Sequence, residues 1–343
     1  MPDGRHHGYP SRRYRDEISG IPRARDTDIE TRSRRESGVS GIPLSGTLRI
    51  ALLVAVAAAA CSFASPAGAS QLIARDATAV RLEVSGKGVA LLTYKTGGRT
   101  RHVIAWGAVN AIHPAEDRKQ VAFRVDYSGG WSSFGRTLWK GFRNVCKPTR
   151  VDVAWLVAAC RTPDGSFWAL QSWQRGLRNY GLPATGTRDD WELRLSHWTG
   201  SVPQLEVGIG WAYGRFHSLY GRYTWRGHGI HGFASTPAGV PLDSFGRNLY
   251  LDTLNSAYGH GWRRENGFLS HAETGGFCYG FYPHDSRPSG MGERYRLSVS
   301  GPGVLPDASW TGAPPRTYDR AFDLASDQRQ AQILARDGLC QPR

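Results

Sequence analysis

The chain of 343 residues sets 43 Lys and Arg against 29 Asp and Glu, a formal net charge of +14, and holds 12 Trp, 14 Tyr and 42 Gly. That length is enough for one large or two small domains with a proper core, and the aromatic, Gly-rich balance favours strands and turns. Beyond one N-terminal run no apolar stretch could span a membrane, and no nucleic-acid-binding motif accompanies the charge, which argues against nucleic acid as partner.

Residues 1–48 have few apolar side chains and no period, so they cannot offset their ordering entropy and are expected to be a disordered leader, or a start codon read too early. Residues 49–69 have the form of a signal peptide: Arg49 as positive flank, an apolar run from Ile50 to Ala60, Pro66, then the small residues Ala67, Gly68 and Ala69. An uncleaved anchor or lipidation at Cys61 are the alternatives, and the only routes to a membrane, although Ala58 stands where lipoprotein signals usually carry Leu. The exported chain would begin at Ser70. It stays basic, with its cations scattered and mostly Arg, so an anionic surface such as cell-wall polymer is an open partner.

Four cysteines remain: Cys146, Cys160, Cys278 and Cys340. An even count in an exported chain reads as two disulfides. Of three pairings, Cys146–Cys160, closing a short loop, and Cys278–Cys340, pinning the C-terminal segment, are preferred. A four-cysteine zinc site lacks the C-x-x-C spacing.

Alternation of apolar and polar residues then predicts strands over 79–84, 89–94, 99–106 and 121–127, the first three joined by Gly-rich tight turns. The stretch "SGGWSSFGRTLWKGFRN" reads as a loop with a short helical turn. Strands at 151–159 and 167–173 complete an N-terminal β region over 70–174. A punctuated loop at 175–190 precedes a C-terminal β region over 191–343, with strands at 191–198, 204–213, 218–225, 247–254, 276–282 and 293–301. One segment, 318–338, is helical, with Asp319 near its start and Phe322, Leu324, Ile333 and Leu334 as its apolar side. The expected fold is therefore all-β: a β-sandwich, jelly-roll-like, of about a dozen strands with one C-terminal helix.

Chemistry concentrates in the C-terminal region. His228 and His231 could converge on a metal if they lie on a turn, but no third ligand is placed by spacing, and nothing calls for a cofactor. The stretch 251–290 holds His260, Glu265 and His271, groups suited to acid–base work near neutral pH. The bland alternative makes Arg263, Arg264 and Glu265 a solvated turn with an ion pair. No G-x-S-x-G signal marks a serine nucleophile. Trp211, Trp225, Trp262 and Tyr258 lie among Gly, Asn and Arg and could stack on sugar rings, or could simply be core.

The block "LSHWTG…PQLEV…WAYG", followed by "GRNLYLDTLNSAYGHGWRRENGFLSH" and "FCYGFYPH", resembles an uncharacterised group of secreted β-rich proteins of high-GC Gram-positive bacteria, over roughly residues 167–306. The resemblance implies secretion and a shared domain, and it carries over no catalytic residue. The expected function is an extracellular or cell-surface protein that binds carbohydrate or cell-wall polymer. A secreted hydrolase using Glu and His acid–base groups, or a structural envelope protein, are the alternatives.

Overall fold

A computed structural model of the chain describes residues 70–112, 120–174, 177, 191–214, 216–229, 249–256, 259–265, 268–272, 274–281, 292–299, 304–315, 317–335 and 337, all within the unit Ala64–Arg343. The expected leader and signal peptide lie outside the described residues, as do Cys61, His231, Tyr258 and Cys340.

In chain order the strands are β1 (Gln71–Arg75), β2 (Thr78–Val84), β3 (Val89–Thr96), β4 (Arg99–Trp106), β5 (Arg124–Asp126), β6 (Lys147–Pro148), β7 (Leu156–Arg161), β8 (Phe167–Gln174) and β9 (Trp191–Trp198). There follow β10 (Gln204–Ala212), β11 (Phe216–Trp225), β12 (His228–Gly229), β13 (Leu249–Ser256), β14 (Gly259–Arg264), β15 (Phe268–His271), β16 (Gly276–Phe281), β17 (Arg294–Val299) and β18 (Ala308–Gly312). A single helical turn, α1 (Trp131–Phe134), and a longer helix, α2 (Arg320–Ile333), are the α-helices among the described residues.

The strands form four antiparallel sheets, so the fold is all-β as expected. Their orders are β2-β3-β4-β5, β1-β9-β8-β7-β6, β10-β11-β16-β15 with β12 on β11, and β14-β13-β17-β18. Each is an open sheet, not a closed barrel. Six strands go beyond those read from the sequence: β1, β6, β12, β14, β15 and β18. Most are short or broken by glycine, which leaves too little alternation to read. The β3–β4 turn is as expected: Thr96 pairs with Arg99, and Gly97 and Gly98, at φ 54° and 73°, supply the two positive dihedrals a tight hairpin needs.

The sheet of β2–β5 packs against that of β1 and β6–β9 over one core, including Val84, Leu92, Val103, Trp168, Leu170 and Leu195. Strands β8 and β9 are covered on both faces. Trp168 and Leu170 point into that core, while Ala169 and Trp198 join a second one with Leu219, Tyr223, Leu251, Phe277 and Leu297. This second core lies between the other two sheets, where the chain alternates hairpin by hairpin: β10–β11, β13–β14, β15–β16, β17–β18.

Helix α2 covers the far side of β10 and β11. Asp319 caps it by accepting from the Phe322 N–H at 2.7 Å. Half of the expected apolar side is buried: Ile333 and Leu334 are, together with Ser326 and Gln330, whereas Phe322 and Leu324 are 42% and 54% exposed. Tyr220 on β11 accounts for the polar part: its hydroxyl donates to the Ser326 carbonyl at 2.8 Å, and the Ser326 hydroxyl donates to the Ile209 carbonyl at 3.0 Å. A Cβ at Gly210 would sit 2.1 Å from the Ser326 hydroxyl, so the helix seats itself over a glycine. Cys278, on the same face of the sheet, is disulfide-bonded, its partner lying outside the described residues.

Candidate functional site: an exposed aromatic strap

A cluster of exposed large rings lies on the outer face of the β2–β5 sheet. Alternation along β4 and β5 sends Val103, Ala105 and Val125 to the core and His102, Ile104, Trp106, Arg124 and Asp126 outward. Asp126 starts a loop. Its carboxylate accepts from the N–H groups of Ser128 at 2.7 Å and Ser133 at 2.9 Å, and from the Ser128 hydroxyl. Burial pushes this carboxyl up, but the hydrogen bonds from Ser128 and Ser133 outweigh it and hold it below its ordinary value.

From there residues 127–146 cross the sheet from its β5 edge to its β2 edge. At the far side the Val145 N–H donates to the Val84 carbonyl at 2.8 Å, and Asn144 accepts from the Val84 N–H at 2.9 Å. The loop is thus a strap, and the outward-facing Leu91 and Ile104 beneath it are buried. The Cys146–Cys160 disulfide fastens its end to β7 in the neighbouring sheet. That pairing agrees with the expectation from the sequence.

The rings of the strap sit on the rings of the sheet. Trp139 stacks on His102 with centroids 4.2 Å apart and planes within 7°. Phe134 packs on Trp106 at 5.1 Å. His102 also meets the Thr93 hydroxyl at 3.1 Å, and burial lowers its pKa. Trp131, at the start of α1, is 63% exposed, and Phe134 and Trp139 are 40% and 37% exposed. Cations surround them. Residues 127–150 carry Arg136, Lys140, Arg143, Lys147 and Arg150, all exposed, and no Asp or Glu. Lys140 lies 5.6 Å from the Trp139 ring centroid. Among the described residues no carboxylate forms an ion pair with any of these five.

The residues singled out from the sequence lie elsewhere. Trp225 is buried, donates to the Ser201 carbonyl at 2.8 Å and lies under Arg226. Trp262 is half-buried beneath the Arg296 guanidinium, 4.2 Å from its centroid. Trp211 is half-buried, edge-on to His217 at 4.5 Å. Tyr258 and His231 are outside the described residues. His228 is exposed on β12, and among the described residues no three His, Cys, Asp or Glu gather to hold a metal.

Glu265 and His260 lie five residues apart, one just beyond β14 and the other near its start, about 16 Å at the usual strand rise. His260 is exposed, Glu265 is buried, and His271 lies on β15 opposite Phe277. Arg264 and Glu265 do not form a solvated turn. Both are buried, and Arg264 pairs with Asp252, which also holds Arg296 at 2.9 Å.

Around Glu265 the second core contains a polar row. Thr253 donates to Glu265 at 2.8 Å. Burial pushes this carboxyl up to about 7, with Thr253 opposing and Asp252 adding to the rise. Tyr295, across β13 from it, meets His217 Nδ1 at 2.5 Å, and burial takes His217 down to about 4. All four side chains are closed off from the surface.

A second polar cluster unites Ser166, His197 and Asp164, but its wiring differs from a catalytic triad. His197 Nε2 meets the Ser166 hydroxyl at 2.9 Å. Asp164, however, accepts from that same hydroxyl and from Thr162, while His197 Nδ1 faces the Ala108 carbonyl. Burial takes His197 down to about 4. The cluster ties a tight turn to the neighbouring strand.

Sequence reasoning passed over the strap because its rings do not alternate. The available signal was a run of cations and aromatics without a single acid. Compared with protein-family models, curated proteins and solved structures, the chain finds no match.

Proposed function

We propose that this is an exported binding protein of the cell surface that holds a sugar polymer on the strap. One observation carries the reading: Trp131, Phe134 and Trp139 stand exposed together on a face already braced from below by His102, Trp106 and a disulfide. Leaving a large ring in water forgoes roughly 1.5–3 kcal/mol of burial, and rings clustered at that cost suit a surface that stacks on sugar rings. The apolar run and small residues at 49–69 support export, and the Cys146–Cys160 disulfide is compatible with it.

The test incubates the purified, oxidised protein with insoluble cell-wall and polysaccharide preparations, then measures sedimented protein and released sugars. Retention without release is expected, and Trp131→Ala weakens it by roughly tenfold or more. Retention that is unaffected by this change removes the strap from the reading. No retention and no release leaves the structural envelope role.

The hydrolase reading has its own observation, the Glu265 carboxyl raised to about 7, where a general acid works near neutrality. Soluble products that disappear in Glu265→Gln would favour it. The closed surroundings of Glu265 favour the binding reading.

A further inference from the structure

Resting on the strap as binding face, we infer that its ligand is an anionic polysaccharide, sugar rings carrying carboxylate or phosphate groups, and that rings and cations divide the recognition. Trp131 and Trp139 take the flat faces of the sugars. Trp139 presents one face only, because His102 stacks on the other, so a sugar approaches from outside the sheet. Arg136, Lys140 and Arg143 take the charges. They lie within the same strap as the rings, and the strap has no acid to neutralise them. Arg124, exposed beside Trp106 in the strand register, extends the positive field across the sheet.

Two carboxylates share this face: that of Asp126 is buried and turned inward onto Ser128 and Ser133, and that of Glu83 is half-buried on the edge strand β2, opposite Leu91. Aromatics interleaved with cations also suit a single-stranded nucleic acid. An exported protein meets the charged polymers of the envelope first, which favours the sugar.

The experiment measures binding of the full chain to polygalacturonate and phosphomannan, against neutral dextran, inorganic polyphosphate and oligothymidylate, at several salt concentrations. The expected result is binding to the two charged glycans, none to dextran, and polyphosphate weaker by about tenfold, the share one stacked ring contributes. Affinity falls with salt as counterions are released. Trp131→Ala weakens glycan binding roughly tenfold or more, and the triple change Arg136→Gln, Lys140→Gln, Arg143→Gln flattens the salt dependence. Both variants keep the wild-type thermal unfolding.

Dextran bound as tightly as the charged glycans, without salt dependence, overturns the anionic ligand but leaves the strap as a sugar site. Polyphosphate bound as tightly as the glycans reduces the strap to a charge patch and overturns the division of roles. Oligothymidylate as the tightest ligand, binding unchanged in both variants, or no binding to any probe overturns this inference together with the sugar-binding strap.

Discussion

The β2–β5 sheet and the β13–β18 interior use the same side-chain chemistry in opposite places. On the first, aromatic rings and cations face water, while the core beneath is built of Val, Leu, Ala and Trp. At the second, rings and charges pack together on the face of β13 opposite the Leu249 and Leu251 side chains of the core. Arg264 lies 4.3 Å over Tyr250 and 5.3 Å over Trp173, and Arg296 lies 4.2 Å over Trp262. Asp252 bridges the two guanidiniums. A guanidinium can be buried where a carboxylate and a ring face meet it. Exposure, not the presence of a partner, separates the two sets: Trp139 and Phe134 rest on His102 and Trp106 yet stay 37% and 40% exposed, and Trp131 is 63% exposed.

Asp252→Ala leaves Arg264 and Arg296 without the carboxylate that neutralises them, which should destabilise by about 3–5 kcal/mol. Urea unfolding measures it, and a loss below about 1 kcal/mol would mean the buried charges are not held as described. Next comes the disulfide. Replacing Cys146 and Cys160 together by Ala reopens a loop of 14 residues' separation and should remove about 3 kcal/mol. Hydrogen exchange should quicken across 127–146 more than across β13–β18, since the bridge fastens the strap and touches nothing in the second core.

The third test separates the interior by pH. Glu265 titrates at about 7 when folded, against an ordinary 4.5. Between those values the folded state binds more protons than the unfolded, so stability falls as pH rises from about 4.5 to about 7. The loss is at most about 3 kcal/mol, one pKa unit being 1.36. Glu265→Gln should remove that slope, with urea midpoints compared at pH 5 and pH 8. The strap carboxyl behaves oppositely. Asp126 is held low, so its stabilisation is present above the ordinary carboxylate pKa and is lost as pH falls through the lower folded value. The gap between wild type and Asp126→Asn should therefore close in acid, where that of Glu265→Gln is unaffected.

How much of this was legible in sequence follows from which contacts are local. The Gly97–Gly98 hairpin and the Asp319 cap are settled within a few residues, and the expectation of each was met. The Cys146–Cys160 pair was legible for the same reason. By contrast, "RRE" at 263–265 reads as surface because charged residues usually are, and only β13 and β17, brought alongside by distant pairing, supply Asp252 and Arg296. The two-sided burial of β8 and β9 likewise depends on sheets assembled from the whole chain. The strap was read as a loop, correctly. Its role was illegible because Leu91 and Ile104, which make it a cover, lie on strands read as ordinary hairpins.

The smallest expected change in stability sharpens the comparison most. Trp131→Ala removes a ring that is 63% exposed, so unfolding should shift by no more than about 0.5 kcal/mol. The same substitution at Trp198, fully buried in the second core, should destabilise by about 3–5 kcal/mol. If the strap rings are there to bind, the order reverses for ligand: Trp131→Ala weakens polymer retention while folding normally, and a folded Trp198 variant of smaller change, such as Trp198→Phe, retains it. A Trp131→Ala protein that unfolds as easily as Trp198→Ala would show instead that the ring is buried in solution. The strap would then be a plain cover, and the contrast between the two regions would disappear.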